Sequence, residues 1–309
     1  MTVIVRELRP DVPEDLAGYA RVRRHALPFL LCTPESVRHL VAGSPPGAAL
    51  RLFLATEEGA VTGVATASLA HDSTEPGQAH LNVYVRPDRT GRGAGGLLVR
   101  TAEEYLGSVG ATRCYSYVLD APGNAEFAAR RGYRPGRPGH FLRLDLTGTA
   151  LPEPPPVPAG MELRTAASFA ADPRPLFALD AETTRDEPGE IAVELADYPA
   201  WLATSWENPL LDRELTLVVV ADGRPVAFTV AHTDGSGHYA SGMTGTARAH
   251  RGLGLARLAK THSLHRARAA GLTTAFTGND ASNTPMLTIN KRLGYEICAT
   301  EIHHVRELP

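Results

Sequence analysis

Arg248-Ala249-His250-Arg251-Gly252-Leu253-Gly254-Leu255-Ala256, followed by a helix-like run from Arg257 to Ala269, is the stretch on which the reading of this chain turns. Two glycines and an alanine stand where the backbone must turn tightly and admit a ligand. Behind them Leu255, Leu258, Ala259 and His262 recur at helical spacing, the first turns of an amphipathic helix. A loop that feeds a helix N-terminus presents unpaired N–H groups and the positive end of the helix dipole, which suits a phosphate or pyrophosphate. Side chains would block that approach, so small residues are needed at the points of contact.

The order of residues carries more than the glycines alone. Arg251-x-x-Gly254-x-Ala256 resembles the Arg/Gln-x-x-Gly-x-Gly/Ala signature of the GNAT superfamily of N-acetyltransferases, which hold the pyrophosphate of acetyl-coenzyme A on this loop. Asn283-Thr284-Pro285-Met286-Leu287-Thr288-Ile289-Asn290-Lys291-Arg292-Leu293-Gly294-Tyr295 resembles the family's closing segment, an Asn, then a polar residue, then Gly-Phe/Tyr. The resemblance implies an α/β (α+β) fold, a mixed central β-sheet flanked by helices, and acetyl-coenzyme A as cofactor. It also implies that the strand before the loop splays at a bulge, on this chain at Thr244-Gly245-Thr246-Ala247, where Gly245 fits a bulge. The implied cofactor contacts are Thr244, Gly245, Thr246, Arg251, Gly252, Leu253, Gly254, Leu255, Ala256, Asn283 and Asn290.

Length and composition bound the rest. At 309 residues the chain suits two domains, and 43% hydrophobic with 21% charged residues is an ordinary globular balance. A net charge of −3 gives no basic excess, so neither nucleic acid nor an anionic membrane is expected as a partner. Cys32, Cys114 and Cys298 are too few and too scattered for a disulfide framework or a zinc site, so no metal is expected. No apolar run approaches the roughly 18–20 residues of a membrane span, and the N-terminus reads as no signal peptide. A cytoplasmic monomer or homodimer is the expectation.

Read in order, Thr2–Leu8 alternates as a strand, and helices are expected from Pro13 and from Thr33-Pro34. Strands follow at 50–55, 61–69 and 79–85, then the loop Arg89 to Gly96 and a helix carrying Leu98, Ala102, Tyr105, Leu106 and Val109 on one face. A strand at 113–119, a short helix at 124–131 and a strand at 141–146 complete a unit. Residues 148–160 hold five prolines and read as a semi-rigid linker. Beyond it the same order recurs over residues 161–309, with Gly93 answering to Gly254 and Gly132-Tyr133 to Gly294-Tyr295. The chain therefore reads as an internal duplication, two tandem GNAT folds over 1–147 and 161–309.

The halves are unequal. In the first, Thr90 stands where the family has Arg or Gln, Ala121 where it has Asn, and Ala128 where many members carry a Tyr that protonates the leaving thiolate. The same positions in the second half are Arg251, Asn283 and Asn290. The second half is expected to be catalytic and the first a degenerate scaffold. Its corresponding cofactor contacts would be Val83, Val85, Gly91, Arg92, Gly93, Gly95 and Gly96.

Acetyl transfer from a thioester to an amine needs no covalent enzyme intermediate when both substrates are held together. The amine, with a pKa of about 10, must lose a proton, and the departing thiolate benefits from an acid. Candidates for the base are His232, His238, Asp186 and Glu187, none favoured by the sequence over the rest. Asn290 is no proton donor, but its amide suits a hydrogen bond to the coenzyme A sulfur or pantetheine arm; Asn283 suits a helix cap as well as a ligand. Tyr198, Trp201 and Trp206 read either as core or as an acceptor-site cluster. The function expected is acetyl-coenzyme A-dependent N-acetylation of a small-molecule amine. The competing expectation is a non-catalytic acyl-coenzyme A sensor; a dinucleotide site fails on glycine spacing.

Overall fold

The computed structural model describes residues 2–309 and resolves the chain into two compact units. One is residues 1–139 with 300–309; the other is residues 140–299. The boundaries differ from those expected, because the last strand of each repeat is not kept where its sequence position suggests. Residues 140–147 fold with the second unit and 300–309 with the first.

The first unit runs β1 (Val3–Glu7), α1 (Pro13–Ala26), α2 (Pro34–Gly43), β2 (Arg51–Glu57), β3 (Ala60–Leu69), β4 (Gln78–Val85), α3 (Ala94–Ser108), β5 (Arg113–Leu119) and α4 (Asn124–Ala129). Strand β6 (Arg134–Asp145) then passes into the second unit. Thr33 caps α2 as its sequence indicates, its hydroxyl accepting from Ser36 N at 3.1 Å while Ser36 Oγ accepts from Thr33 N. Helix α1 has no side-chain cap at Val12. Its Asp15 is instead enclosed by Arg6 and Arg9, at 2.6 and 3.0 Å, which hold its carboxyl well below the usual range. Leu98, Ala102 and Leu106 of α3 are buried against Ala65, Ala79 and Leu81 of the sheet. Each such leucine contributes roughly 1.5–3 kcal/mol of transfer free energy.

The second unit continues with β7 (Met161–Thr165), α5 (Arg174–Thr184), α6 (Tyr198–Trp201, prolonged by a π-helical turn over Leu202–Trp206), β8 (Leu217–Ala221), β9 (Arg224–Thr233) and β10 (His238–Thr246). Helix α7 (Leu255–Ala269), β11 (Thr274–Asp280), α8 (Thr284–Arg292) and the first residues of β12 (Glu296–Glu307) close it, the remainder of β12 belonging to the first unit. Its strand order is β6-β11-β10-β9-β8-β7. Helices α5 and α6 lie over one face, through Leu176, Leu179, Trp201 and Trp206 against Val218, Val220 and Phe228. Helices α7 and α8 lie over the other, through Leu264, Leu293 and their neighbours against Tyr239 and Ala275.

The distal part of β12, Glu301–Glu307, pairs antiparallel with β5, Glu301 opposite Leu119 and Glu307 opposite Arg113. In exchange β6 lies beside β11, where Leu146 N donates to Thr273 O at 2.9 Å. The 148–160 linker folds with the second unit rather than spacing it. His262 and His265 of α7 bond the carbonyls of Pro155 and Pro152 at 3.0 and 2.9 Å, and Arg268 donates to Thr149 O. His262, expected on the core face, therefore serves the linker. Among the described residues no helix is long and apolar enough to cross a membrane.

Candidate active site

The duplicated loops share one backbone path. Thr90 and Arg251 have φ/ψ of −67°/160° and −68°/158°, and each loop ends on a left-handed glycine, Gly93 or Gly254, that opens α3 or α7. In the second unit Gly252 and Gly254 have φ of 81° and 75°, and a Cβ added at either would meet nothing within 4 Å. The N–H groups of Gly252, Leu253 and Gly254 find no acceptor among the described residues. Leu253 is exposed, and Leu255 turns inward as the first core residue of α7. A bare, donor-rich helix start of this kind fits a pyrophosphate.

The Arg251 side chain has a further attachment. Its guanidinium meets Asp186 Oδ2 at 2.5 Å and donates from Nε to Thr246 O at 3.2 Å, while Arg248 takes the other Asp186 oxygen at 2.6 Å. Two arginines hold the Asp186 carboxyl well below the usual range. Asp186 is therefore an anchor between the loop after α5 and the glycine loop, and is too weak a base for an amine.

Strand β10 has its bulge between Ser241 and Thr244, where Ser241 faces Ala231 and Thr244 faces Thr229. One extra residue is thus carried by β10 opposite Val230. The bulge lies upstream of the expected Thr244–Ala247, and Gly245 is regularly paired with Phe228. Gly245 is required for a different reason: a Cβ there would lie 2.5 Å from Thr183 Oγ1 of α5. Parallel pairing of β10 with β11 runs only from His238–Thr274 to Ser241–Thr277, so the two strands part at the bulge.

His232, Glu187 and His238 fall in different places. His232 packs over the bulge, its Cε1 3.1 Å from where a Gly242 Cβ would stand. It shares the α5/α6 face with Val230, and burial lowers its pKa, so the ring is neutral at pH 7. Glu187 is solvent-exposed, but the protein crowded around it and the Asp180 charge raise its pKa. His238 is at the opposite end of β10, six residues or about 20 Å from Thr244, its Nδ1 bound to Asp234 at 2.8 Å. Geometry brings His232 to the bulge and leaves His238 out.

Asn283 is the N-cap of α8, accepting from Met286 N at 3.2 Å. Asn290 is fully buried and donates to Asn279 Oδ1 at 2.6 Å, while its own carbonyl oxygen has no partner. The aromatic cluster is core: Trp201 and Trp206 are buried and stacked with centroids 6.0 Å apart, and Trp201 Nε1 donates to Asp180 at 2.8 Å. Sequence reasoning missed Lys260, buried on the apolar face of α7 with its ammonium 2.9 Å from Ser241 Oγ. The available signal was one lysine in the middle of an apolar helical stripe.

The first unit repeats this plan and closes it. Val83 and Val85 lie on β4, whose pairing with β3 is regular from Gly63–Val85 to Leu69–Ala79, with no bulge. Its parting from β5 is bridged by Asn82 Oδ1, which accepts from Tyr117 N at 2.9 Å. Gly91 and Gly93 are open, but Gly95 and Gly96 are roofed by Phe127 of α4 and by Arg131 just after it, Arg131 stacking 3.5 Å over the Phe127 ring. Arg92 and Arg89 face Glu57 at 3.7 and 3.4 Å.

Comparison with known proteins bears on both units. The model of the acetyltransferase (GNAT) family matches residues 17–133 and again 177–295. The mycothiol acetyltransferase of Nocardia farcinica is 32% identical over 265 residues, 85% of this chain and 84% of that one; that of Thermomonospora curvata is 30% identical over 255 residues, 82% and 81%. Two solved structures share the fold at 22% identity. They are a tandem GNAT protein from the clavulanic acid biosynthesis pathway, at TM-score 0.76 with 100% of this chain and 99% of that one covered, and a GCN5-related N-acetyltransferase from Sphaerobacter thermophilus, at 0.71 with 99% and 96%. With two family matches, one on each glycine loop, this chain belongs to the GNAT family as a tandem acetyl-coenzyme A-dependent N-acetyltransferase.

Proposed function

We propose that the second unit transfers an acetyl group directly from acetyl-coenzyme A to a small-molecule amine held with it, and that the first unit is a non-catalytic scaffold. The observation that carries this reading is the contrast at the parted strands. In the second unit a bulge interrupts the pairing of β10 and a neutral histidine lies over it; in the first the strand is regular and Asn82 spans the gap.

In this reading the N–H groups of Gly252, Leu253 and Gly254 bind the pyrophosphate, and the Thr244–Thr246 backbone guides the pantetheine arm. Freed amides at the bulge meet the negative charge that grows on the carbonyl oxygen. His232 takes the proton of the acceptor amine from the α5/α6 face. Asn290 keeps the wall behind the parted strands polar without serving as an acid. The two curated relatives are named mycothiol acetyltransferases, which favours an amine acceptor related to mycothiol.

The test is thiol release from acetyl-coenzyme A with a panel of small amines, run from pH 5 to 9. The wild-type kcat/KM should rise with pH through a value below the ordinary histidine range, because burial lowers the His232 pKa and only the neutral ring accepts a proton. His232→Gln should abolish that ionisation and cut kcat/KM by about 10²–10⁴-fold. An unchanged acid limb in the variant assigns the base elsewhere, with Glu187 next to be substituted.

A further inference from the structure

Only two of the chain's 31 basic side chains are lysines, Lys260 and Lys291; the rest are arginines. Lys260 is the more unusual for its position. It is 1% exposed, and its ammonium donates to Ser241 Oγ at 2.9 Å. It forms no ion pair with a carboxylate among the described residues. Two phenols lie in the same neighbourhood. Tyr239 of β10 is bound to Ser263 Oγ at 2.8 Å, and Tyr295, just before β12, has its ring centroid 5.9 Å from Nζ. Both phenols are held neutral by burial. A buried cation without a counter-charge is a standing cost, and an arginine here could not relieve it by losing a proton. Lysine can: burial lowers its pKa to about 7, so both forms are accessible near neutrality.

Hydroxyls connect this amine to the bulge. Ser241 Oγ lies 3.4 Å from Thr229 Oγ1, which lies 2.8 Å from Thr244 Oγ1. Ser241 and Thr244 flank the bulge, and Ser241–Thr277 is the last pair before β10 and β11 part. The chain Lys260–Ser241–Thr229–Thr244 thus runs from the protein interior to the edge of the parted strands. Asn290, at the position where many family members carry an acidic hydroxyl, has no proton to give.

We propose that Lys260 is the proton source for the departing thiolate, delivering through the hydroxyls of Ser241, Thr229 and Thr244. The proposal rests on the acetyl-transfer reading above. Each hydroxyl passes on its own proton and receives the next, so the step converts Lys260 ammonium and thiolate into neutral amine and thiol. Over one cycle the acceptor ammonium sheds two protons to solvent through His232, and Lys260 recovers one from solvent. One proton is released net per amide formed. Lys260 acts through Thr244 and does not itself touch the substrate.

The experiment uses the full chain grown with isotopically labelled lysine, which gives two side-chain signals to follow by NMR. One should titrate near 7 and vanish in Lys260→Met, which assigns it to the buried amine. Thr229→Val should leave the first titration in place but cut the relay. Both variants should lose about 10- to 100-fold in kcat, at the low end for an acid because a thiolate already leaves tolerably, and both should lose the alkaline limb of the kcat profile. Coenzyme A affinity by calorimetry should stay within about twofold, as expected when a proton path and not a binding contact is removed. A Lys260 signal titrating above 9, or a Lys260→Met enzyme with the parent's kcat and pH profile, overturns the relay alone. A wild-type chain that releases no thiol with any amine overturns the acetyl-transfer reading first, and the relay with it.

Discussion

Gly245→Ala is a one-methyl test of how the acceptor side of the second unit is held. The new Cβ would lie 2.5 Å from Thr183 Oγ1 and 2.7 Å from both Thr183 Cβ and Cγ2. Carbon atoms rest at about 3.5–4.0 Å, so the deficit is about 1 Å. Thr183 cannot swing aside cheaply. It is 4% exposed, and its hydroxyl is bound to Leu179 O at 3.0 Å and Asp180 O at 3.2 Å of its own helix. Helix α5 must therefore move away from β10, which as overpacking costs roughly 1–3 kcal/mol. The same shift displaces Asp186, which grips Arg248 and Arg251, and a misplacement of about 1 Å near reacting groups can cost on the order of 10²-fold in rate. Urea unfolding and thiol-release kinetics on the one variant read both effects. Thr183→Gly in the same chain removes all three clashing atoms and should restore rate while adding a helix penalty of about 1 kcal/mol. A Gly245→Ala protein with the parent's urea midpoint and the parent's kcat refutes the claim that α5 packing sets this site.

Other substitutions probe separate parts of the argument. Gly254→Glu puts a carboxylate at the bare helix start and a side chain into left-handed backbone, and should lower acetyl-coenzyme A affinity at least about 100-fold by calorimetry while costing about 1 kcal/mol in stability. Gly93→Glu should leave turnover intact; the reverse pattern would move the working site to the first unit. Asp15→Asn should cost about 1.5–3 kcal/mol at pH 7 by urea unfolding, since hydrogen bonds from two arginines lose their charged acceptor. Because folding depresses the Asp15 pKa, that stabilisation is present above the unfolded value of about 3.9 and fades as pH falls toward the folded one, so the gap should narrow by pH 3. Trp201→Phe removes the donor to Asp180, whose pKa burial already raises. Its destabilisation should be about 1.5–3 kcal/mol where Asp180 is charged and smaller at about pH 3, below the unfolded carboxyl value of about 3.9, where the carboxyl is largely protonated in both states; equal losses at both pH values would show that the bond does not matter.

Much of the fold was legible because each element carried its own signal. Thr33-Pro34 capped a helix, the helical stripe behind Gly93 became α3, and the two glycine loops adopted the same dihedral angles. What stayed hidden depended on partners far away in sequence. The sequence marks strands at 141–146 and 296–305, but it does not say which sheet edge each will complete, nor that the first begins as early as Arg134. The bulge was misplaced because Gly245 satisfied a local rule for bulges, whereas the demand for glycine came from Thr183, sixty-two positions earlier. Arg251 matched a pyrophosphate motif while its guanidinium was claimed by Asp186, a pairing no spacing rule reveals. Lys260 escaped notice because a helix periodicity argument treats one polar residue in an apolar stripe as noise.

The exchange of terminal strands sets a timetable for synthesis. Between Gly139 and Thr300 the ribosome must make the 160 residues from 140 to 299 before the strand that covers β5 exists. At 5–20 residues per second that is a wait of about 8–30 s with Arg113-Cys114-Tyr115-Ser116-Tyr117-Val118-Leu119 as a bare sheet margin. Nascent chains stalled in that window present a sticky tyrosine-rich ribbon to one another. The second unit, whose β6 emerges ahead of everything it joins, has no such delay.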